Sequence, residues 1–570
     1  MVYGDGIYGD GIYGTSGTIT PTLPRPTRLL YPNVTVEIDG DAYAVAADTQ
    51  ITLDAGAVPY AAAEVQLPLL DEAVLDLLDP RAGDVRCPVT GSDGLVGGPR
   101  EFDLGLRERE IDHVTKTVTL RLASDEALLM DYAPLADDPT PRTLETSLRD
   151  VCDYVLDKIG AHLEPGTQDA DVSAFWEVTN YFPNAGSENS SELGWVPSTG
   201  APVLTSQTTP VKSGARNVRI QATAASAWIA AEKAISATPG RTYRASLQLR
   251  SSVARSVQIM LQWAGPDGLL GMNSNGPTLT SSTSAWTEYT VEGVAPPAAT
   301  QVRLFVITSG NAAGNFHYID EVMWYQDDEP VPWFSGASAD ADYTYEWSGD
   351  ANASASRRIP VIDRPRDALV WSAGQTGWDF LTVLCASAGM TLWCDEQRRW
   401  YLQTPESRTI PALIAVTASN TSEGTDVLSR EDPDTYVTGV VCRYFWTDRV
   451  DGTRREQVDA AGTPGKVLVR EFDNTPYPGS GVAAAMLARR AGTGRAQTVT
   501  TITRWDIAPG MTANLTLPAA PETTARISAV TFHPAGFMEL RHAGLVDLIP
   551  GSIAALAGTI DSLTGTIDDL

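Results

Sequence analysis

Eight of the 14 tryptophans (Trp176, Trp195, Trp228, Trp263, Trp286, Trp324, Trp333 and Trp347) lie in or beside residues 171–350. An indole offers a flat apolar face on which the C–H face of a sugar ring can stack. The sugar hydroxyls then need amides and carboxylates nearby, and Asn, Gln and Asp of the same stretch supply them. Trp228 in Ala-Ser-Ala-Trp-Ile-Ala and Trp263 in Gln-Trp-Ala-Gly-Pro-Asp-Gly sit among small or turn-forming residues, which leaves room for a ligand. Trp195, after Gly194, joins them as a glycan-binding candidate. Trp286, Trp324 and Trp347 are read as core.

Residues suited to catalysis are sparse. The five histidines (His113, His162, His317, His533 and His542) form no His-Glu-x-x-His or close His-x-His arrangement, and His317, between Phe316 and Tyr318, reads as a packed residue. There is no Gly-x-Ser-x-Gly elbow and no Gly-x-x-x-x-Gly-Lys phosphate loop. Carboxylate pairs such as Asp395 and Glu396 arise by chance among 71 acidic residues. The five cysteines (Cys87, Cys152, Cys385, Cys394 and Cys442) contain no C-x-x-C pair, so neither a disulfide framework nor a zinc site is indicated. The expectation is a protein that is not an enzyme.

The elements that would position the tryptophans are read from periodicity. At 570 residues the chain exceeds one hydrophobic core. Residues 1–29 repeat Tyr-Gly-Asp-Gly-Ile, placing Tyr3, Tyr8 and Tyr13 at fixed spacing, and then stiffen at Pro21, Pro24 and Pro26; this is an arm and linker. Residues 30–166 alternate with period two, as in Thr117-Val-Thr-Leu-Arg-Leu, and close with an amphipathic stripe over Thr143 to Ile159, predicting a β domain with a final helix. Residues 171–350 carry short alternating runs with frequent turn signals and predict a β-sandwich jelly roll. Arg357, Arg358, Arg364 and Arg366, interrupted by Asp363 and Asp367, read as a solvated linker. Residues 359–550 return to mixed strands, with helices near Trp378 to Ala388 and Val482 to Arg490. Within 551–570, Ile553, Leu556, Ile560, Leu563, Ile567 and Leu570 alternate spacings of three and four, a short heptad helix expected to drive self-association.

The formal net charge of −30 and the lack of any Lys/Arg block disfavour nucleic-acid binding. No apolar run approaches the ~18 residues of a membrane span and no secretion signal is visible, so the expectation is a chain made in a host cytoplasm.

Residues 180–325 resemble carbohydrate-binding jelly-roll modules. The resemblance rests on Asn180-Tyr-Phe-Pro-Asn, Gly194-Trp195, Ser213-Gly214, Pro239-Gly-Arg-Thr-Tyr243, Trp286-Thr-Glu-Tyr, Ala295-Pro296 and Tyr318-Ile-Asp320-Glu-Val. It implies a sugar ligand and, at Asp320, a share in a structural calcium site. Trp333-Phe-Ser-Gly and Tyr345-Glu-Trp347-Ser-Gly-Asp-Ala-Asn are similar to the exit phrase of this module in minor tail proteins of actinobacterial phages. The flanks Phe102-Asp-Leu-Gly-Leu-Arg-Glu-Arg-Glu-Ile-Asp-His113, Leu122-Ala-Ser-Asp-Glu-Ala-Leu-Leu129, Gly377-Trp-Asp-Phe-Leu381 and Trp393-Cys-Asp-Glu-Gln-Arg-Arg-Trp400 are similar to their hub-like part. The implied protein is a mainly β, multidomain tail-tip hub of the virion: β-barrel scaffold portions, an inserted jelly roll and a short C-terminal coiled coil. Its implied partners are copies of itself in a homotrimer, the distal tail, tape measure and further tip proteins, and host-surface carbohydrate. The rival expectations are a tail-associated cell-wall glycan hydrolase and a purely architectural hub without sugar affinity.

Overall fold

The computed structural model describes residues 33–547 apart from 93–98, 192, 224–226, 232–233, 405–412, 429–435, 451, 491–494 and 518–522. The tyrosine repeat and the heptad positions from Ile553 to Leu570 lie outside the described residues. The molecule is mainly β and built from several sheets.

The regions 30–166 and 359–550 do not form separate cores. A ten-stranded sheet runs through both, in the order Thr421–Leu428, Arg495–Ile502, Phe537–Asp547, Thr523–His533, Gln50–Asp54, Ala61–Pro68, Thr117–Ala123 and Gly105–Asp112, with Thr512–Thr516 and Leu413–Thr417 branching from Thr523–His533. The seam is the antiparallel pairing Ile51↔Phe532 to Asp54↔Ala529. Alternation in Ala61–Pro68 buries every second side chain, and Val65 and Leu67 share one core with Val499, Ile527, Phe532 and Leu540. A four-stranded sheet around Asn33–Ile38 and Val89–Ser92 packs into this core. There Gly91 lies so close under the Trp505 ring that a Cβ would sit 2.4 Å from it. The scaffold is thus one interleaved unit, interrupted in sequence by the central module.

Beside it lies a helical layer. The helix Leu148–Leu156 starts where Ser147 Oγ accepts the Asp150 N–H at 3.1 Å, and Thr376 caps Gly377–Ser387 in the same way through Asp379. Both pack with the hairpin Thr391–Cys394/Trp400–Gln403, whose turn begins at Asp395 and Glu396.

The central module is a two-sheet sandwich. One sheet has five strands in the order Val203–Gln207, Asn217–Gln221, Phe316–Gln326, Thr242–Ser251 and Thr287–Val294. The other has seven, with the path Trp195–Pro197, Ala227–Ala231, Gln301–Ser309, Ser256–Gly265 and Gly268–Asn275. Between them lies a core including Val218, Leu247, Ile259, Leu304 and Trp324. A third small sheet pairs Ser356–Pro360 with Val178–Asn180, so the module extends past residue 350.

The arginines expected to form a solvated linker are instead largely buried at the module–scaffold joint. The Trp176 ring takes Arg366, Arg142 and Arg358 at 4.5, 5.4 and 5.5 Å from its centroid, while its Nε1 donates to Asp327 at 2.8 Å. Arg366 pairs with Asp327 at 2.9 Å, and Arg364 donates to the carbonyls of Pro478 and Ser173. The correction has a physical cause: a guanidinium can stack on an indole and fork onto carboxylates together, so arginine is suited to a buried polar seam.

Candidate functional site

The seven-stranded sheet has one face in the sandwich core and one turned away from it. Along Ser256–Gly265 the side chains of Val257, Ile259, Leu261 and Trp263 point inward, and those of Gln258, Met260 and Gln262 point outward. Along Gln301–Ser309, Val302, Leu304 and Val306 are inward and Arg303, Phe305 and Ile307 outward. Register then fixes which outward residues are neighbours. Phe305 is opposite Met260, which is opposite Asn275; Arg303 is opposite Gln262, which is opposite Asn273; and Trp228 is opposite Ile307.

The result is an apolar strip beside a polar row. Met260 and Phe305 are sunk into the face, 3% and 6% exposed, and Val196, Trp228 and Ile307 pack around them half-buried. Trp228 meets Phe305 edge-on with centroids 6.4 Å apart and an interplanar angle of 74°. Arg303, Asn273 and Asn275 are exposed and Gln262 half-buried, and among the described residues their side chains form no hydrogen bond or ion pair. Strands lie about 4.8 Å apart, so three residues in one cross-strand row reach about 10 Å. Apolar ring surface beside unspent amides is what a sugar needs.

Of the three tryptophans expected to stack on sugar, only Trp228 reaches this face. The expectation for Trp263 is corrected. It is 1% exposed, lies edge-on to Tyr243 at 5.6 Å and donates Nε1 to Ser274 Oγ at 3.2 Å, so neither ring face is free. The same correction holds for Trp195, 4% exposed and packed 4.7 Å from the Phe182 ring. Phe305, Met260, Arg303, Gln262, Asn273 and Asn275 were not singled out in sequence. The available signal was a break in alternation: Met260 and Phe305 are large apolar residues at positions whose parity points away from the core.

Asp320 is fully buried on the five-stranded sheet. Its Oδ2 accepts from the backbone N–H of Lys212 and Ser213 at 2.9 and 3.3 Å, and its Oδ1 from that of Glu321 at 2.8 Å. Burial nevertheless pushes its carboxyl up to about 6. Nearby, Glu188 Oε1 accepts from the N–H of Ala215 at 2.7 Å, so both acids grip the 212–216 loop by its amides. Amide hydrogens aimed at a carboxylate oxygen occupy the lone pairs a cation would use. No group of three or more His, Cys, Asp or Glu among the described residues could hold a metal ion. This donor set does not fit the expected calcium, and Asp320 acts here as a loop anchor. His317, also buried, bonds Ser251 Oγ at 2.6 Å through Nδ1 and Asn311 Oδ1 at 3.0 Å through Nε2, and burial depresses its imidazole to about 4.

A concavity on the scaffold is lined by Arg86, Asp84, Arg107, Asp125 and Asp131. Its charges are spent on one another: Arg86 pairs with Asp84, Asp103 and Asp125, Arg398 with Asp84 and Asp125, and Arg107 with Asp131.

No protein-family model matches the chain, and no curated protein matches it. Among solved structures, a tail protein from Neisseria meningitidis MC58 is similar over 90% of this chain and 96% of its own, at 9% identity and a TM-score of 0.37. The N-terminal modules of Clostridium thermocellum endo-1,4-β-D-xylanase 10B, complexed with xylohexaose, match 28% of this chain at 17% identity and a TM-score of 0.22; the chain spans 30% of that structure. The enzymatically active domain of tailspike protein 4 from bacteriophage CBA120 matches 26% of this chain and 21% of its own, at 14% identity and a TM-score of 0.22.

Proposed function

We propose that this chain is a phage minor tail protein of the tail-tip hub, which assembles on the tail tube and touches host-surface glycan through the outward face of its central sandwich. The observation that carries the sugar-binding part is that face: Trp228 beside the sunken Phe305 and Met260, flanked by the unspent side chains of Arg303, Gln262 and Asn273. Several copies around one axis would raise effective concentration, so a weak single contact suffices for adhesion.

Self-assembly is supported by the scaffold sheet. It ends on one side in Gly105–Asp112, whose start is bridged by Arg86 and donates the Leu106 N–H to the Val85 carbonyl, and on the other in Thr421–Leu428, which pairs with no strand on its outer side among the described residues. Thr421–Leu428 is exposed along nearly its whole length, with Val427 and Leu428 54% and 78% exposed. A long bare edge invites strand addition by a neighbouring copy, and such additions repeated head-to-tail around one axis would close a ring. The reading includes a homotrimer, with the distal tail, tape measure and further tip proteins as neighbours. It includes no catalysis: the strands of the outward face carry no carboxylate among the described residues, whereas glycoside hydrolysis ordinarily uses two.

The test is binding of the full chain to a glycan array with light scattering of the same sample. Binding that Trp228→Ala removes, by a particle of three chains that Val427→Lys dissociates, is expected. No binding to any glycan sinks the adhesive role and leaves the architectural one, a monomer at all concentrations sinks the ring, and release of reducing ends from host wall polysaccharide establishes hydrolysis instead.

A further inference from the structure

Resting on the glycan-binding reading of the outward face, we infer that the sugar bound there is anionic, carrying a carboxylate or phosphate that Arg303 engages. The chain has 71 acidic residues and a net charge of −30, yet the described outward positions of the five strands on the sheet path hold none: besides Arg303 they are apolar, such as Trp228, Met260 and Phe305, amide, such as Gln262 and Asn273, or hydroxyl, at Ser256 and Ser309. On this face Arg303 is exposed and makes no hydrogen bond or ion pair among the described residues. Elsewhere in the module arginines are tied down: Arg244 pairs with Glu292 at 2.7 Å, Arg357 with Glu177 and Glu346, and Arg250 donates to the Thr283 carbonyl. A bare guanidinium within an acid-free patch of an acidic protein is a local positive field. It presents a fork of donors matched to a carboxylate or phosphate.

The neighbours complete the site. Gln262 and Asn273 continue the row from Arg303 and supply amides for hydroxyls, while the half-buried Trp228, one strand over and opposite Ile307 four residues along from Arg303, supplies the ring face for a further sugar unit. A neutral glycan would leave the guanidinium with water. An acidic one gains a charge-assisted bond, and beyond a Debye length of about 8 Å at physiological salt the negative charge elsewhere on the chain is largely screened.

The test uses the full chain on three matched pairs: polygalacturonate and its methyl ester, glucuronoxylan and its carboxyl-reduced form, and a glycosylated teichoic acid and its dephosphorylated glycan. The acidic member of at least one pair should bind roughly tenfold or more tighter than its neutral partner, the size of one charge-assisted hydrogen bond, and added salt should reduce the difference. Which pairs respond separates a carboxylate from a phosphate source. Arg303→Gln should abolish the preference and leave the melting temperature unchanged, because the side chain is exposed and unbonded; Trp228→Ala should weaken acidic and neutral members alike. Equal affinity within every pair, or a preference that persists in Arg303→Gln, overturns the inference while leaving glycan binding intact. Absence of binding to all six probes overturns it too, and only silence on the wider array as well removes the glycan-binding reading.

Discussion

Replacing Trp263 and Trp228 by alanine, one at a time, should separate stability from binding. Trp263 is 1% exposed, held edge-on by Tyr243 and bonded to Ser274. Removing a buried indole leaves a cavity and costs about 3–5 kcal/mol, within which the aromatic pair contributes about 1 kcal/mol. For a domain of this size each kcal/mol moves the midpoint by roughly 2–4 °C, so Trp263→Ala should lower the module's melting transition by roughly 6–20 °C. Trp228 is half-buried and its one ring contact is the edge of Phe305 at 6.4 Å, so its loss should cost about 1 kcal/mol and move the midpoint by only a few degrees. Calorimetry of the full chain reads the first quantity, and biolayer interferometry on the best array glycan reads the second. At a temperature where both variants are folded, Trp263→Ala should retain affinity and Trp228→Ala should lose roughly tenfold or more. The reverse pattern, a binding defect in folded Trp263→Ala with Trp228→Ala unaffected, would refute the assignment of faces.

His317 and Asp320 should give the module opposing pH responses. The His317 imidazole is depressed to about 4 from 6.5, so its contribution of ~3 kcal/mol is complete above pH 6.5 and is lost as pH falls toward 4. The Asp320 carboxyl is raised from 3.8 to about 6, so the folded state holds the proton more tightly; its contribution of ~3 kcal/mol is complete below pH 3.8 and is lost as pH rises through 6. The two nearly cancel between pH 4 and 6. Melting temperatures across that range should slope upward with pH in Asp320→Asn and downward in His317→Gln; equal slopes in both variants would contradict the pairing. Burial also depresses His542 to about 4 in the scaffold, which should therefore lose stability as pH falls from 6.5 to 4, an effect absent in His542→Gln. Arg366→Ala should leave Asp327, 4% exposed, without its nearest cation, costing about 3–5 kcal/mol and exposing the 327–366 joint to proteolysis faster than in the parent chain. Gly91→Ala should destabilise the scaffold by about 1–3 kcal/mol in thermal unfolding, because its Cβ meets Trp505; an unchanged midpoint would show that the indole yields freely.

Local structure was written plainly in the chain. Alternation located the strands, and apolar spacings of three and four located the helices over Thr143 to Ile159 and near Trp378 to Ala388, which the structure trims to Leu148–Leu156 and sets at Gly377–Ser387, because such patterns act over a few residues. The core position of Trp263 was also readable, since it shares parity with Val257, Ile259 and Leu261, and its small, turn-forming neighbours follow it in the chain without opening its ring to solvent. Parity separates two faces of a strand but does not say what covers each one. That Phe305 and Met260 lie side by side with Trp228 required the register of three strands, and register is set by pairings made across distant sequence. The same nonlocality joined Ile51 to Phe532 and made one sheet of the two scaffold portions that flank the inserted module. It also turned a run of arginines that looks solvated in isolation into a buried joint, since the indole and carboxylates that hold them come from other parts of the chain. Composition and short-range periodicity decided which elements exist; only their tertiary pairing decided which side chains meet.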